Sequence, residues 1–463
     1  MAFHWDDKTV RQALGMRADL AQSDVQYASV STDSRSVSTG DLYVALVGDR
    51  FDGHDFVADA FSKGAAGAVV SRPAAGDPAG RLYPVDDTLV ALGRLAAWRR
   101  QQIDAPVVAI TGSSGKTTTK EMTAAALGET YRVHATAGNL NNRIGLPLTI
   151  LATPEQVEAV VLELGTNEPG EIKALVQVAR PDVAVITTVG ESHLEKLGSL
   201  EGVLTEKLDI LRGMVDGGQC IVGDDPAVLA ERAHAICAQV KVVGWSERAD
   251  ADARPQNAEV DVFGRYSFDW RGQRVTAPMA GRHAVSNALL ALTIADVLDV
   301  PARDAIRGLG TARMGSMRGE FQRIGELTLI VDCYNANPQS VRASLDVLED
   351  QAVTGRKVAV LGSMLELGDA TAGLHDEVLA DTVDRDIDLI VATGAFAEAA
   401  GRAGLSDERV VIGEDWQTAY PLLIERLEGG EIILLKASRG IALERILPRL
   451  RADFGTAVEP VEA

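Results

Sequence analysis

Apolar residues fall along this chain in two alternating kinds of run. Short runs that are apolar almost throughout, at 107–110, 159–163, 183–187 and 219–222, are separated by stretches with helical spacing at 171–179 and about 199–214. A strand apolar at every position is covered on both faces, so the alternation predicts a parallel sheet between helical layers, with ligands at the strands' carboxyl ends. A block beginning near Met314 repeats the pattern, with strands predicted at 328–332, 357–361, 388–392, 409–412 and 431–435. That predicts a second doubly wound domain. Between the two blocks, the weaker alternation of 258–278 predicts an antiparallel excursion before an alanine-rich helix at 284–298. Strands at 41–46 and 68–70 and a helix at 89–101 predict a small mixed domain at the front. Pro106, just ahead of an apolar strand, marks its boundary. The expected fold class is therefore α/β with three domains, at 1–104, 105–313 and 314–463. Repeats and low-complexity tracts are missing, and only the tail after Thr456 reads as disordered.

Length and charge narrow the function. At 463 residues the chain exceeds one ordinary core, and its formal charge of −21 argues against a general nucleic-acid or anionic-membrane surface. A phosphate site must then be built locally. Cys220, Cys237 and Cys333 are widely spaced, without a pairing or zinc pattern, and read as buried thiols in a reducing compartment. No stretch has the length of a membrane span and the N-terminus has no leader pattern, so a cytoplasmic location is expected.

The segment 109–122 carries the clearest chemistry. An apolar strand runs into Thr111-Gly112-Ser113-Ser114-Gly115-Lys116-Thr117-Thr118, which opens a helix. Backbone N–H groups in such a turn point at an anion, Lys116 adds a point charge, and the Thr117 hydroxyl can hold Mg²⁺. The bland alternative is a glycine-rich turn with a surface lysine. The spacing also departs from the usual phosphate loop, because Ile110 stands where its first glycine would be. Glu163 ends the next predicted strand, at the same sheet edge, as a hard oxygen ligand suited to Mg²⁺ or as a solvated carboxylate.

The shortened loop resembles that of the Mur ligase family, the ATP-dependent amide-forming enzymes of bacterial cell-wall synthesis. The resemblance implies a central P-loop parallel-sheet ATPase domain, an N-terminal domain for a UDP-linked substrate, and a C-terminal Rossmann-like domain for the incoming amino acid or peptide. It further implies two Mg²⁺ sites held by Thr117, Glu163, His193 and a carbamylated Lys207, with Lys116, Glu163, His193 and Lys207 as the catalytic set. Alone, His193 would read as a capping or surface residue, and Lys207 as a salt-bridged lysine on a solvated face. Gly112, Ser113, Ser114, Gly115, Lys116, Thr117 and Thr118 would grip ATP. His283 and Asn287, in a run resembling the family's Arg-His-x-x-x-Asn element, would lie near adenine, Arg318 near the terminal phosphate and Asp332 near the ribose. Each has a plain alternative as a helix-start, surface or capping residue.

Further elements point within the family to the branch that joins D-alanyl-D-alanine to UDP-N-acetylmuramoyl-tripeptide. The run 31–35 with 40–46 and 50–56 resembles its uridine-nucleotide domain, implicating Ser34 and Arg35. The loop 136–147 resembles its substrate loop, implicating Asn139 and Asn142, and 332–338 with 361–369 is typical of that branch. The ligase that adds the third amino acid carries an Asp-Asn-Pro-Arg motif that this chain lacks. Glu168 stands where many relatives have histidine, and Lys436-Ala-Ser-Arg-Gly440 replaces the more familiar Lys-Gly-Ser-Arg form. The alternatives that stay open are that third-residue ligase and a catalytically silent nucleotide-binding module. A monomer that binds neither nucleic acid nor membrane is expected.

Overall fold

The computed structural model describes residues 5–21, 26–48, 50–74, 81–352, 355–405, 408–455 and 458–460. Its centre is a six-stranded, wholly parallel sheet in the order Val240–Val243, Gln219–Gly223, Val183–Ile186, Val107–Thr111, Ala159–Glu163 and Val133–Ala135. The chain enters in the interior at Val107 and winds outward in both directions. That leaves the carboxyl end of Val107–Thr111 at the switch point where ligands bind such sheets.

The unbroken apolar strands are buried on both faces, as a parallel sheet requires. Val108 and Ile110 pack with the helices Lys116–Gly128 and Arg282–Val297, while Val107 and Ala109 face the helices Glu171–Ala179 and Leu200–Arg212. The second core also takes in Leu92 and Leu95 of the helix Thr88–Arg100, so the core runs on across Asp104. Polar contacts tie the same helix to the central domain: Arg100 donates to the Ala179 carbonyl at 2.8 Å and to Asp182 Oδ2 at 2.8 Å. The front of the chain forms a four-stranded parallel sheet of Val30–Ser31, Leu42–Val44, Gly67–Val70 and Leu82–Pro84.

The alternating stretch forms three antiparallel strands, Gln256–Val260, Arg265–Trp270 and Gln273–Ala280. In the C-terminal sheet, Val410–Gly413, Leu389–Thr393, Lys357–Leu361, Ile432–Lys436 and Leu327–Asp332 lie parallel. Two strands that the apolar pattern does not reveal close its edge. Glu320–Ile324 pairs antiparallel with Leu327–Asp332, and Val458–Pro460 pairs with Glu320–Ile324. The tail is thus not wholly disordered, because backbone pairing to an open edge orders a segment without an apolar run of its own. Among the described residues no helix is long and apolar enough to cross a membrane. Cys220 and Cys333 are buried thiols, as expected, but Cys237 is only partly buried, since it follows a helix end at the rim of the core.

Candidate active site

The carboxyl ends of the central and C-terminal sheets converge on one cleft of about 1090 Å³. Its floor is the loop 112–115. Gly115 adopts φ +81° as N-cap of the helix Lys116–Gly128, a conformation that disfavours side chains with a Cβ. A Cβ there would sit 2.5 Å from Asn287 Oδ1, and one on Gly112 would sit 1.9 Å from Thr187 Oγ1. Both glycines let neighbouring groups press against the loop. Ile110, where a longer loop would carry glycine, is inside the sheet, paired with Glu163 and Val185. The departure in spacing is a loop that begins later.

Interlocking bonds hold this loop. Ser113 N–H donates to the Thr188 carbonyl at 2.9 Å, its Oγ donates to the Gly190 carbonyl at 2.9 Å, and Thr187 Oγ1 donates to the Ser114 carbonyl at 2.5 Å. Lys116 Nζ donates to the Gly112 carbonyl at 2.6 Å. Burial lowers the Lys116 pKa, Glu163 opposes that, and nearby Arg318 adds to it. Thr117 and Thr118 are buried in the first helical turn and line the cleft.

Glu163 is brought to the loop by its pairing with Ile110. Its Oε1 accepts from Asn141 Nδ2 at 2.8 Å, whereas Oε2 is buried with no hydrogen-bond partner. His193 lines the cleft from a left-handed backbone conformation, and its Nδ1 lies 2.5 Å from Glu366 Oε2. Lys207 is 1% exposed, which removes it from the solvated-face reading. Burial and then the charge of Lys116 lower its pKa well below the ordinary value. Its neighbour Glu206 accepts from the Gly170 and Ile172 N–H groups at 2.7 Å each, tying the lysine's helix to the start of the helix Glu171–Ala179. Among the described residues no three histidine, cysteine or acidic side chains form a ready-made metal cluster.

The C-terminal domain supplies the opposite wall. Arg318 stacks its guanidinium 3.7 Å from the centre of the Tyr334 ring. Asp332 Oδ2 accepts from Ser344 Oγ at 2.6 Å and pairs with the buried Lys436 Nζ at 3.0 Å. His283 is partly accessible, with its pKa lowered mainly by burial. Direct contacts join the two walls: Asn337 Nδ2 donates to Ser114 Oγ at 3.2 Å, and Gln339 Nε2 donates to Asp225 Oδ2 at 2.7 Å.

The structure therefore gathers the loop, Glu163, His193, His283, Asn287, Arg318 and Asp332 around one cleft, with Asn139 and Asn142 at its edge. Asn142 spends its Oδ1 on the N–H groups of Ile144 and Gly145, and Asn287 Oδ1 accepts from Thr119 Oγ1 at 3.2 Å. Lys207 does not line the cleft; it is buried within electrostatic reach of Lys116. Ser34 and Arg35 lie apart, on the loop after Val30–Ser31, where Arg35 pairs with Asp33 at 2.7 Å. Sequence reasoning passed over Asn141, Asn337, Glu366 and the buried Lys436 as functional residues. Asn141 stands between two asparagines already singled out, but nothing local shows which of the three meets Glu163.

Comparison with known proteins agrees with this geometry. Models of the Mur ligase family match residues 26–100 (catalytic domain), 110–295 (middle domain) and 317–439 (glutamate ligase domain). The chain is 38% identical to the UDP-N-acetylmuramoyl-tripeptide–D-alanyl-D-alanine ligase of Bacillus subtilis, over 91% of this chain and 92% of that one. It superposes on a crystal structure of MurF from Acinetobacter baumannii with a TM-score of 0.88 and 33% identity, covering 98% and 99% of the two chains. The MurF ligase of Thermotoga maritima, solved in complex with ADP, matches with a TM-score of 0.82 at 26% identity, covering 94% of this chain and 99% of that one. Full-length identity above 30% and three consecutive domain matches along one continuous fold make the chain a member of the Mur ligase family.

Proposed function

We propose that this enzyme uses ATP to join D-alanyl-D-alanine to UDP-N-acetylmuramoyl-tripeptide, forming the UDP-linked pentapeptide. The observation that carries the reading is the single cleft where a phosphate loop, an unpartnered buried carboxylate oxygen and a C-terminal wall meet. The Bacillus subtilis relative's activity and the ADP held by the Thermotoga maritima relative support it.

The tripeptide's terminal carboxylate attacks the γ-phosphorus, ADP leaves, and an acyl phosphate results. The dipeptide's amine then attacks the acyl carbon, phosphate leaves, and the amine gives up a proton. Two anions must approach in the first step, so the residues that neutralise charge matter most. The N–H groups of residues 115–118 and Lys116 receive the phosphates, and Arg318 faces the same charge from the other domain. Asn287 shapes the loop at Gly115, while His283 and Asp332 border the nucleoside. Asn139 and Asn142 meet the peptide end of the UDP-linked substrate. Ser34 and Arg35, outside the cleft, fit its distant nucleotide end.

The residues present fit divalent ions. Glu163 Oε2 is a buried oxygen with no protein partner, and Thr117 and His193 border the same space. Lys207 fits as a carbamate: its depressed pKa favours the neutral amine that adds to carbon dioxide, releasing one proton. The product is an anion beside Lys116, which replaces repulsion between two cations by attraction. Glu163, Thr117, His193 and carbamylated Lys207 would hold Mg²⁺, which when bound neutralises phosphate oxygens during transfer.

The deciding experiment incubates the enzyme with ATP, the UDP-linked tripeptide in its diaminopimelate or lysine form, and D-alanyl-D-alanine. Phosphate release that needs both substrates, with UDP-linked pentapeptide found by mass, is the expected result. Failure to form pentapeptide from either tripeptide rejects the reading.

A further inference from the structure

His193 and Glu366 meet across the two domains in a way that the proposed reaction does not by itself require. Both are non-glycine residues with left-handed backbones, at φ +55° and φ +64°. Such conformations are unfavourable for residues with a Cβ and persist where surrounding structure enforces them. Here the enforcement is mutual: the Glu366 carbonyl accepts from Glu195 N–H at 3.1 Å, and Nδ1 of His193 lies 2.5 Å from Glu366 Oε2. Gly368, at φ +55°, lets the turn press close, since a Cβ there would lie 2.9 Å from Glu195 Cα.

A carboxylate only accepts hydrogen bonds, so this contact holds a proton on Nδ1, and of the two tautomers of the neutral ring it selects the one whose Nε2 is bare. A bare Nε2 is what a divalent ion needs, and a carboxylate on the opposite ring nitrogen is the usual device for fixing that tautomer. The carboxylate comes from the other domain. Closure is held independently by Ser114 with Asn337 and by Asp225 with Gln339, so the domains can meet without Glu366. We propose that Glu366 is a positioning residue that fixes the tautomer and ring of His193 only when the C-terminal domain has closed on the ATP site. This rests on the reading of His193 as a metal-facing residue. The ligand set is then completed last, after the site has shut.

The test uses full-length Glu366→Ala and Glu366→Gln, the latter keeping an oxygen that accepts from Nδ1–H. Nitrogen NMR of histidine-labelled enzyme, with the His193 signal assigned by its loss in His193→Gln, reads the tautomer directly. In Glu366→Ala the proton is expected to redistribute towards Nε2, with kcat falling about tenfold or more while KM for ATP stays within about threefold. Glu366→Gln is expected to retain the wild-type tautomer and most of kcat. An unchanged His193 signal or unchanged kcat in Glu366→Ala overturns the proposal, as does an equal loss of kcat in both variants. A wild-type enzyme inactive on the cell-wall substrates would instead count against the functional reading, and the tautomer measurement would still stand.

Discussion

Asn141 donates to Glu163 Oε1 at 2.8 Å, while the other oxygen of that carboxylate is buried without a partner. The asparagine thereby holds the carboxylate in one orientation, with Oε2 left free of protein partners. Removing it in Asn141→Ala frees the carboxylate to rotate, and kcat is expected to fall about 10–100-fold, as when partners of metal ligands are lost. Asn141→Asp sets a second carboxylate beside the first and should be no better. Steady-state kinetics across a Mg²⁺ titration checks both, the apparent Mg²⁺ affinity falling with kcat in Asn141→Ala.

The phosphate loop makes a steric prediction. Gly115→Ala combines an unfavourable φ of +81° with a Cβ 2.5 Å from Asn287 Oδ1. The loop must shift, at a cost of about 1–3 kcal/mol. Nucleotide affinity measured by calorimetry should drop, whereas an alanine at Gly373, inside the helix Thr371–Val383 and with nothing within 4 Å of a Cβ, should leave affinity unchanged.

Lys207 is expected to be needed as a carbamate. Lys207→Ala should lose roughly 100-fold or more in kcat. Carbon NMR with labelled bicarbonate should show a carbamate signal in the wild type that is missing from the variant. Full activity in the variant would leave this lysine a buried structural cation.

His375 sets a pH dependence of stability. Its ring is fully buried; Nδ1 donates to the Thr371 carbonyl at 2.6 Å and Nε2 accepts from Met364 N–H at 2.9 Å. Burial, partly offset by the Thr371 bond, lowers its pKa below the ordinary 6.5. The unfolded chain therefore binds the proton more readily, and stability falls as pH drops below about 6.5, by at most about 1.4 kcal/mol per pH unit, until the folded-state pKa is passed. Denaturant titrations at several pH values should show a shallower slope in His375→Gln, which cannot take up this proton.

Strand and helix alternation, the phosphate loop and the strand-end Glu163 were legible because they are local: periodicity, turn chemistry and spacing sit in short windows. Glu320–Ile324 and Val458–Pro460 were not, since both are edge strands stabilised by pairing rather than by an apolar run. Lys207 shows the same limit at a single residue. On a helix of mixed pattern it reads as an exposed cation, and only packing against the sheet makes it a buried amine within electrostatic reach of Lys116.

By itself the sequence determined the α/β architecture, the glycine turn that opens the helix Lys116–Gly128 and, through resemblance, the family. Tertiary structure alone decided that Asn141 rather than its neighbours orients Glu163, that Glu366 reaches His193 from another domain, and that Ser34 and Arg35 lie outside the cleft. The physical reason is range. Backbone propensity and hydrophobic period act over a few residues, whereas a hydrogen bond between residues 193 and 366 exists only after two sheets have closed on one another.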